Sequence, residues 1–560
     1  ARLGNAVFWG ILDLKYDSAA PFDARLRVLE TGDGRTSRFS GCGAAIKEAA
    51  EKDLQLEKDL LERAVLVENK KLTHDLMVCS GYSHVLPSQR AYLREYRNDL
   101  AQAICRDLEL GSDAFCVLKL CNRQRGAGII PVRVADLDDA LRELLQPPAD
   151  MDTWLKTQSV ENLQHLQWGS FEEQLRHWWS NECPCFVVEE LCQSQLTCVP
   201  RDGVMLSFDG TLRVGFSLHR IQDDSMDEEA APRVARYRDF CRPLFGNRGL
   251  RVHWLGGYWK LPVDDSSSMN LRARVMSAAK QGTAPIEHCE LHDVYSSIGD
   301  LVRSLFEDCD LSPRGLQLRY ASFPEFSAFV ASRLATSLKA AAGVDRISRL
   351  NSARALAEDA NSVPCSYVSS YVERMRGVME AMQGNWRAAL LFFQKSLKAM
   401  PTNATTLHLL GMYHREMRED GLAAKMMEHA LLLDPDFKAP YANLGAAYLR
   451  MGDHERAASI SEGGLARHPG TPQLQYNLAM ATLGRARRAE RDLGPWHLAS
   501  ELRSRALDLL LAARKGCSVG HRWTKQDEGA VAALQVADQR LDQARYAQVM
   551  DGWHFVGWRP

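Results

Sequence analysis

Three kinds of residue in the first half of this 560-residue chain have the chemistry to hold a charged ligand. The first is lysine: Lys70 and Lys71 lie together in Asn69-Lys70-Lys71, and Lys119 sits inside the apolar run Val117-Leu118-Lys119-Leu120. Lysine ammonium groups neutralise polyphosphates through charge-assisted hydrogen bonds, which are the strong ones. The second is the glycine-containing stretch Arg125-Gly126-Ala127-Gly128-Ile129. Without a Cβ in the way, its backbone N–H groups can come close to phosphate oxygens. The third is an acid pair, Glu189-Glu190, at the end of the apolar run Val187-Val188. Each has a plainer role when taken alone. Adjacent lysines are ordinary solvated side chains, and a glycine pair between two apolar runs often marks a hairpin turn.

The surrounding pattern says which elements would carry these residues. Apolar runs bounded by glycines and charges alternate with helical periodicity, which favours an α/β or α+β domain over residues 1 to about 320. Strands are expected at WGILDLKYD and LRVLETGDG, and a helix with a charged outer face over CGAAIKEAAEKDLQLEKDLLERA. KKLTHDLMVCSG reads as a short helix and AYLREYRNDLAQAICRDLEL as helical throughout. FCVLKLCNRQRGAGIIPV reads as strand, polar loop and strand, ADLDDALRELL as a helix, and CPCFVVEELC as a buried strand. GVMLSFDGTLRVGFSLHRI is expected to fold as a hairpin turning at Asp209-Gly210. WLGGYWKLP reads as an apolar turn, DDSSSMN as a loop, VYSSIGDLVRSLFED as a helix and GLQLRY as a short strand. The polar stretch Glu30 to Gly34 reads first as a tight turn, with approach to a phosphate as the alternative.

The order of these elements resembles the ATP-grasp superfamily, the fold of many carboxylate–amine ligases, over about residues 60 to 260. The resemblance implies that Lys70 opens the nucleotide-binding subdomain, with Pro87 after it, and that Lys119 reaches the nucleotide phosphates from its strand. It implies that the loop Arg125-Gly126-Ala127-Gly128-Ile129 covers those phosphates, and that Glu189 and Glu190 flank the adenine and ribose. It implies ATP and Mg²⁺ as cofactors. One departure stands out: the family's late acid pair, usually "D … E-x-N", is not found, and Arg319 stands where an acid is expected. Without two carboxylates magnesium cannot bridge the phosphates, and phosphoryl transfer loses its main charge stabiliser. Either the domain is degenerate, or other acids such as Asp202, Asp209 or Glu307 serve.

The C-terminal half carries a different signal. Pro401, Pro435 and Pro469 step by 34 residues, as do Ala389, Ala423 and Ala457, and Leu410, Leu444 and Leu478; Gly411 and Gly445 keep the same offset. Physically, the small residues stand where two helices approach closely, the leucines fill the core between neighbouring hairpins, and each proline ends a helix. This period and the N-L-G-x-x-Y of Asn443 to Tyr448 resemble the tetratricopeptide repeat (TPR) family over about 150 residues. The resemblance implies a helical solenoid whose groove takes a protein or peptide partner. Between the halves, an alanine-rich stretch from Ser327 reads as a rigid helical connector, and one more helix with an aromatic tail follows Gly516.

Composition sets the bounds. Apolar content of 46% and charged content of 25% suit a chain that buries cores, and a formal net charge of −2 gives no field drawing it to nucleic acid or anionic membrane. No apolar run is long enough to span a bilayer. The 14 cysteines are scattered, with Cys183 and Cys185 one residue apart and no C-x-x-C, so free thiols in a reducing compartment are expected and spacing suggests no zinc site. Ala1 in place of Met fits a removed targeting segment or a trimmed chain, and the expected setting is a soluble protein of the cytoplasm or another reducing compartment. The expected architecture is therefore multidomain: an N-terminal α/β (α+β) subdomain over 1–85, an ATP-grasp-like nucleotide-binding region over 86–325, a connector over 326–362, an all-α TPR solenoid over 363–515, and a helix and tail over 516–560. The expected function is a protein-interaction scaffold or assembly subunit carrying an active or degenerate ATP-grasp-like domain. The alternative is an active ATP-dependent carboxylate–amine ligase that recruits its substrate through the repeats.

Overall fold

A computed structural model describes residues 69–220, 250–337 and 365–516, with short gaps in each. The expected elements at 1–68, most of the connector beyond Ser337 and the tail beyond Gly516 lie outside the described residues.

The first half is built around a four-stranded antiparallel sheet in the order β1-β4-β2-β3. Its strands are β1 (Gln89–Leu93), β2 (Phe115–Leu120), β3 (Ile129–Arg133) and β4 (Cys185–Glu190). The helices α1 (Lys70–Cys79), α2 (Leu100–Asp107), α3 (Leu137–Leu145) and α5 (Phe171–Ser180) pack around it, while α4 (Met151–Thr157) packs on the C-terminal helices. Both faces of the two central strands are covered, which is why β2 and β4 are almost continuously apolar. Cys116, Leu118, Leu120, Phe186 and Val188 pack with Ile104, Leu141, Leu144 and Trp178 on one side. On the other side Cys185 and Val187 share a core with Leu72 and Leu76 of α1. The same core takes in Leu316, Phe326 and Phe329 from α7 (Pro313–Arg319) and α8 (Pro324–Ser337), which follow the short helix α6 (Leu271–Val275).

Smaller sheets follow. β5 (Leu196–Arg201) pairs with β6 (Val204–Asp209), and β7 (Thr211–Arg220) pairs with β8 (Leu250–Lys260), which also pairs with β9 (Thr283–Pro285).

Four expectations are corrected here. Residues 91–110 are not one helix, because Gln89–Leu93 pairs with β4 and Tyr92 packs on Phe186. The hairpin turn falls at Gly203, with a φ of 80°, between Arg201 and Val204, and not at Asp209-Gly210. Two Asp-Gly signals stand seven residues apart, and pairing with β5 decides which one is used. WLGGYWK is the body of β8 instead of a turn, and GLQLR lies in the helix α7, which buries Leu316 and leaves Leu318 exposed.

From Ser366 the chain is helical. Four consecutive pairs follow: α9 (Ser366–Met382) with α10 (Trp386–Ala399), α11 (Ala404–Glu416) with α12 (Asp420–Leu433), α13 (Lys438–Arg450) with α14 (His454–Arg467), and α15 (Pro472–Arg491) with α16 (Trp496–Gly516). The 34-residue register is realised as packing. Ala389, Ala423 and Ala457 are each 0% exposed, and Leu410, Leu444 and Leu478 are buried between hairpins. Gly411 has no room for a side chain: a Cβ there would lie 2.7 Å from Met427 Cγ and 3.1 Å from the Ala423 carbonyl oxygen. The turn within each of the first three hairpins contains one left-handed residue, Gly384 at φ 84°, Arg418 at φ 61° and Gly452 at φ 76°. These also step by 34, but the middle one is arginine.

Candidate functional site

Three constellations merit attention, and the first contains the residues singled out for nucleotide binding. Glu189 of β4 stands opposite Gln89 of β1 and Val117 of β2, so Gln89, Glu189 and Lys119 share one face of the sheet. The Lys119 ammonium, 2% exposed, is ion-paired with the Glu189 carboxylate. The other Glu189 oxygen accepts from Gln89 Nε2 at 2.6 Å. Lys70 donates to the carbonyl oxygens of Leu120, at 2.8 Å, and Arg123. Burial of its ammonium end lowers the Lys70 pKa to about 8, although the residue as a whole is only partly buried.

Lys119 and Glu189 pair with each other, and Lys70 binds backbone carbonyls, so the fold gives each of the three a protein partner. Glu190 accepts from the Ser88 amide at 3.3 Å, and the amides of Glu190 and Leu191 donate to the carbonyls of Ser88 and Phe115. The glycine stretch is the β2–β3 connection. Gly126 and Gly128 have φ of 84° and 72°, and a Cβ on Gly128 would overlap the Leu120 side chain. Arg125 lies outside the described residues, as do Asp202 and Glu307, whereas Asp209 faces Arg274 at 3.6 Å. Arg319 donates to Cys79 Sγ at 3.2 Å.

The second constellation joins the two halves and was not anticipated. Helix α5 carries Glu173, Arg176, His177 and Ser180 on one face. His177 meets the turn Asp434-Pro435-Asp436 between α12 and α13, Arg176 donates to the Leu432 carbonyl, Glu173 pairs with Arg467 and Ser180 accepts from Arg123. His177 sits between two carboxylates, with Nδ1 3.4 Å from Asp434 and Nε2 3.4 Å from Asp436. Arg123 reaches Asp434 at 2.6 Å, and Arg467 of α14 bridges Glu173 at 2.8 Å and Asp436 at 2.9 Å. Burial alone would lower the His177 pKa, but its contacts to Asp434 and Asp436 outweigh this and hold it at about 9. Asp434 is buried and Asp436 half-buried, which acts to raise their pKa, yet Arg123, His177 and Arg467 hold both carboxyls below the usual range. Arg374 makes a bidentate pair with Glu182 at 2.6 and 2.8 Å, and Asn403 donates to the same carboxylate at 3.0 Å. Apolar contacts extend this dock, since Met151, Leu155 and Leu163 share a core with Leu407, Met427 and Leu431. The only trace of the dock in the sequence is the pair of acids flanking a repeat-boundary proline.

No family model matches the chain, and no curated protein matches it. Among solved structures, a MamA structure is 19% identical over 30% of this chain and 92% of that chain, with a TM-score of 0.25. YrrB, described as a TPR protein with an unusual peptide-binding site, is 16% identical over 37% of this chain and 97% of that one, with a TM-score of 0.27. The pilF protein of Pseudomonas aeruginosa is 16% identical over 41% of this chain and 99% of its own, with a TM-score of 0.27. Overlaps at these scores decide nothing further, and the array is recognised from its own register and helix pairing.

The third constellation is a group of thiols. Cys121, Cys183 and Cys185, all buried, bring their sulfurs within 4.8 Å of one another. Glu173, His177 and Asp436 form a second group of that size, but Arg467 already neutralises its carboxylates. Among the described residues no helix is long and apolar enough to cross a membrane.

Proposed function

We propose that this protein is an interaction scaffold of the TPR type, on which the sheet-containing half is clamped as a fixed second module. The observation that carries this is the realisation of the 34-residue register as stacked helix pairs. One edge of the stack, at the turns between repeats, is occupied by α5 through the Asp434-Pro435-Asp436 dock. The opposite edge, at the turns within hairpins, displays Met382, Met417 and Met451, 40%, 42% and 49% exposed. Met417 and Met451 are 34 apart (417 + 34 = 451). Methionine is flexible and polarizable, which suits a surface that adapts to a protein or peptide. The test is to select peptides from a random library on the full chain and to measure their affinity for the Met417→Lys/Met451→Lys variant. The scaffold role predicts that binding is lost while the unfolding midpoint stays put. Peptides that bind both forms equally count against this edge, and failure to select any peptide on the array counts against the scaffold role.

A second reading, nucleotide binding with ATP and Mg²⁺ at Lys70, Lys119, Arg125, Gly126, Gly128, Glu189 and Glu190, is supported by Lys119, Gln89 and Glu189 sharing one sheet face, with Lys70 of α1 bound to the carbonyl of Leu120 next to Lys119. A phosphate would have to exchange with Glu189 for the Lys119 ammonium, and such buried charges are costly to separate. Titration of the full chain with ATP, with and without Mg²⁺, decides it. Magnesium-dependent binding that disappears in Lys119→Ala supports a ligase-type site, and no binding removes it.

A further inference from the structure

We propose that Cys121, Cys183 and Cys185 form a binding site for one thiophilic divalent cation of the zinc class. Strand pairing creates the site. Leu120 of β2 stands opposite Phe186 of β4, so the next step along both strands sets Cys121 across from Cys185. Their sulfurs are 3.6 Å apart, and Cys183 Sγ is 3.8 Å from Cys185 Sγ. Zinc–sulfur bonds of about 2.3 Å in a tetrahedron hold sulfurs about 3.8 Å apart, so two edges of the triangle already have the required span. Asn181 fixes the Cys183 end by accepting its amide at 2.8 Å.

Charge is the second argument. Three thiolates and a divalent ion carry a net charge of −1, which in an apolar core needs a countercharge. The Lys70 ammonium supplies it, because it is anchored to the carbonyls of Leu120 and Arg123, which lie on either side of Cys121 in the chain. The surroundings, Leu72, Leu76, Val187 and Tyr320, are apolar and shield the site. Three protein ligands leave one tetrahedral position for water or an added ligand. The ion would clip the β2 end to the chain between α5 and β4, next to the interdomain dock.

The test uses the full chain, reduced and stripped of metal with a chelator. It is titrated with Co²⁺, whose thiolate complexes absorb by charge transfer, and then with Zn²⁺. The expected result is absorption that saturates at one cobalt per chain and is abolished by one equivalent of zinc. Cys183→Ser and Cys185→Ser should lose it. Cys116→Ser, which removes a buried thiol from the opposite sheet face, should keep it. Absence of the band in the folded wild type overturns the proposal, as does a band that survives both substitutions at the site. Should the serine variants fail to fold, alkylation mapping of the wild-type cysteines decides. Zinc at 100 times its Kd slows modification of these three about 100-fold relative to the other cysteines. An equal rate with and without zinc, or recovery of a disulfide among the three, overturns the metal site.

Discussion

The repeat array and the sheet-containing half solve the same burial problem with contacts of very different reach. In the array the decisive neighbours lie within about one repeat: Gly411 meets Met427, Tyr448 reaches Glu428, and Ser370 meets Ser396. In the sheet half they are far apart in sequence. Lys119 meets Glu189 across 70 residues and Gln89 meets Glu189 across 100. The dock is longer still, since Arg467 reaches Glu173 across 294. Short-range packing tolerates local change and repeats itself, whereas long-range polar pairing concentrates risk in a few buried charges. The molecule is most brittle where buried charges pair over long stretches of chain.

The largest effect is expected where a buried charge loses its partner. Arg467→Ala removes the arginine that pairs with both Glu173, 1% exposed, and Asp436, and should cost about 3–5 kcal/mol in urea unfolding. If the dock is what ties the halves, this variant should unfold in two steps while the wild type unfolds in one. Leu444→Ala tests the array by the same measurement. It is 0% exposed, and its removal should cost about 2–5 kcal/mol through lost burial and a cavity. A loss confined to the array's transition would break the picture of two coupled halves.

The dock is also expected to depend on pH. His177 has its folded pKa raised to about 9, above an unfolded value near 6.5. Its contribution is therefore fully present below about pH 6.5 and is lost as pH rises through 9, a change of roughly 3 kcal/mol. Asp434 and Asp436 have lowered pKa values, so their contribution is present above about pH 4 and is lost as pH falls below it. Thermal midpoints measured from pH 3 to pH 10 should thus peak between these limits, and His177→Gln should flatten the alkaline limb. The groups facing His177 from both halves are Glu173, Asp434, Asp436 and Arg123, so Asp434→Asn should weaken the same limb.

Two glycine-type positions give smaller effects. Gly128→Ala places a Cβ on Leu120 at positive φ and should lower stability by about 1–3 kcal/mol. Arg418→Gly should do the reverse. Its register mates at 384 and 452 are glycines, and relief of the left-handed strain should raise the unfolding free energy by roughly 1 kcal/mol. A destabilised Arg418→Gly variant would mean that the arginine side chain contributes more than its backbone costs.

The sequence alone determined the array, because each repeat makes the same local contacts and so leaves the same residues at the same offset. Ala389, Ala423 and Ala457 are legible for that reason. It also placed α1, α3, β2, β3 and β4, whose apolar runs are long and bounded by turn residues, and it marked Lys119 and Glu189 as unusual charges in apolar strands. Long-range packing set the pairing of these two, made Ala91 to Leu93 strand instead of helix, and put the turn at Gly203. Strand pairing and register are set by partners far along the chain, which local periodicity does not encode. The same holds for the thiol triangle and for the His177 dock. Cys121 joins Cys183 and Cys185 only through the β2–β4 ladder, and His177 meets Asp434 and Asp436 only when one half of the molecule packs against the other.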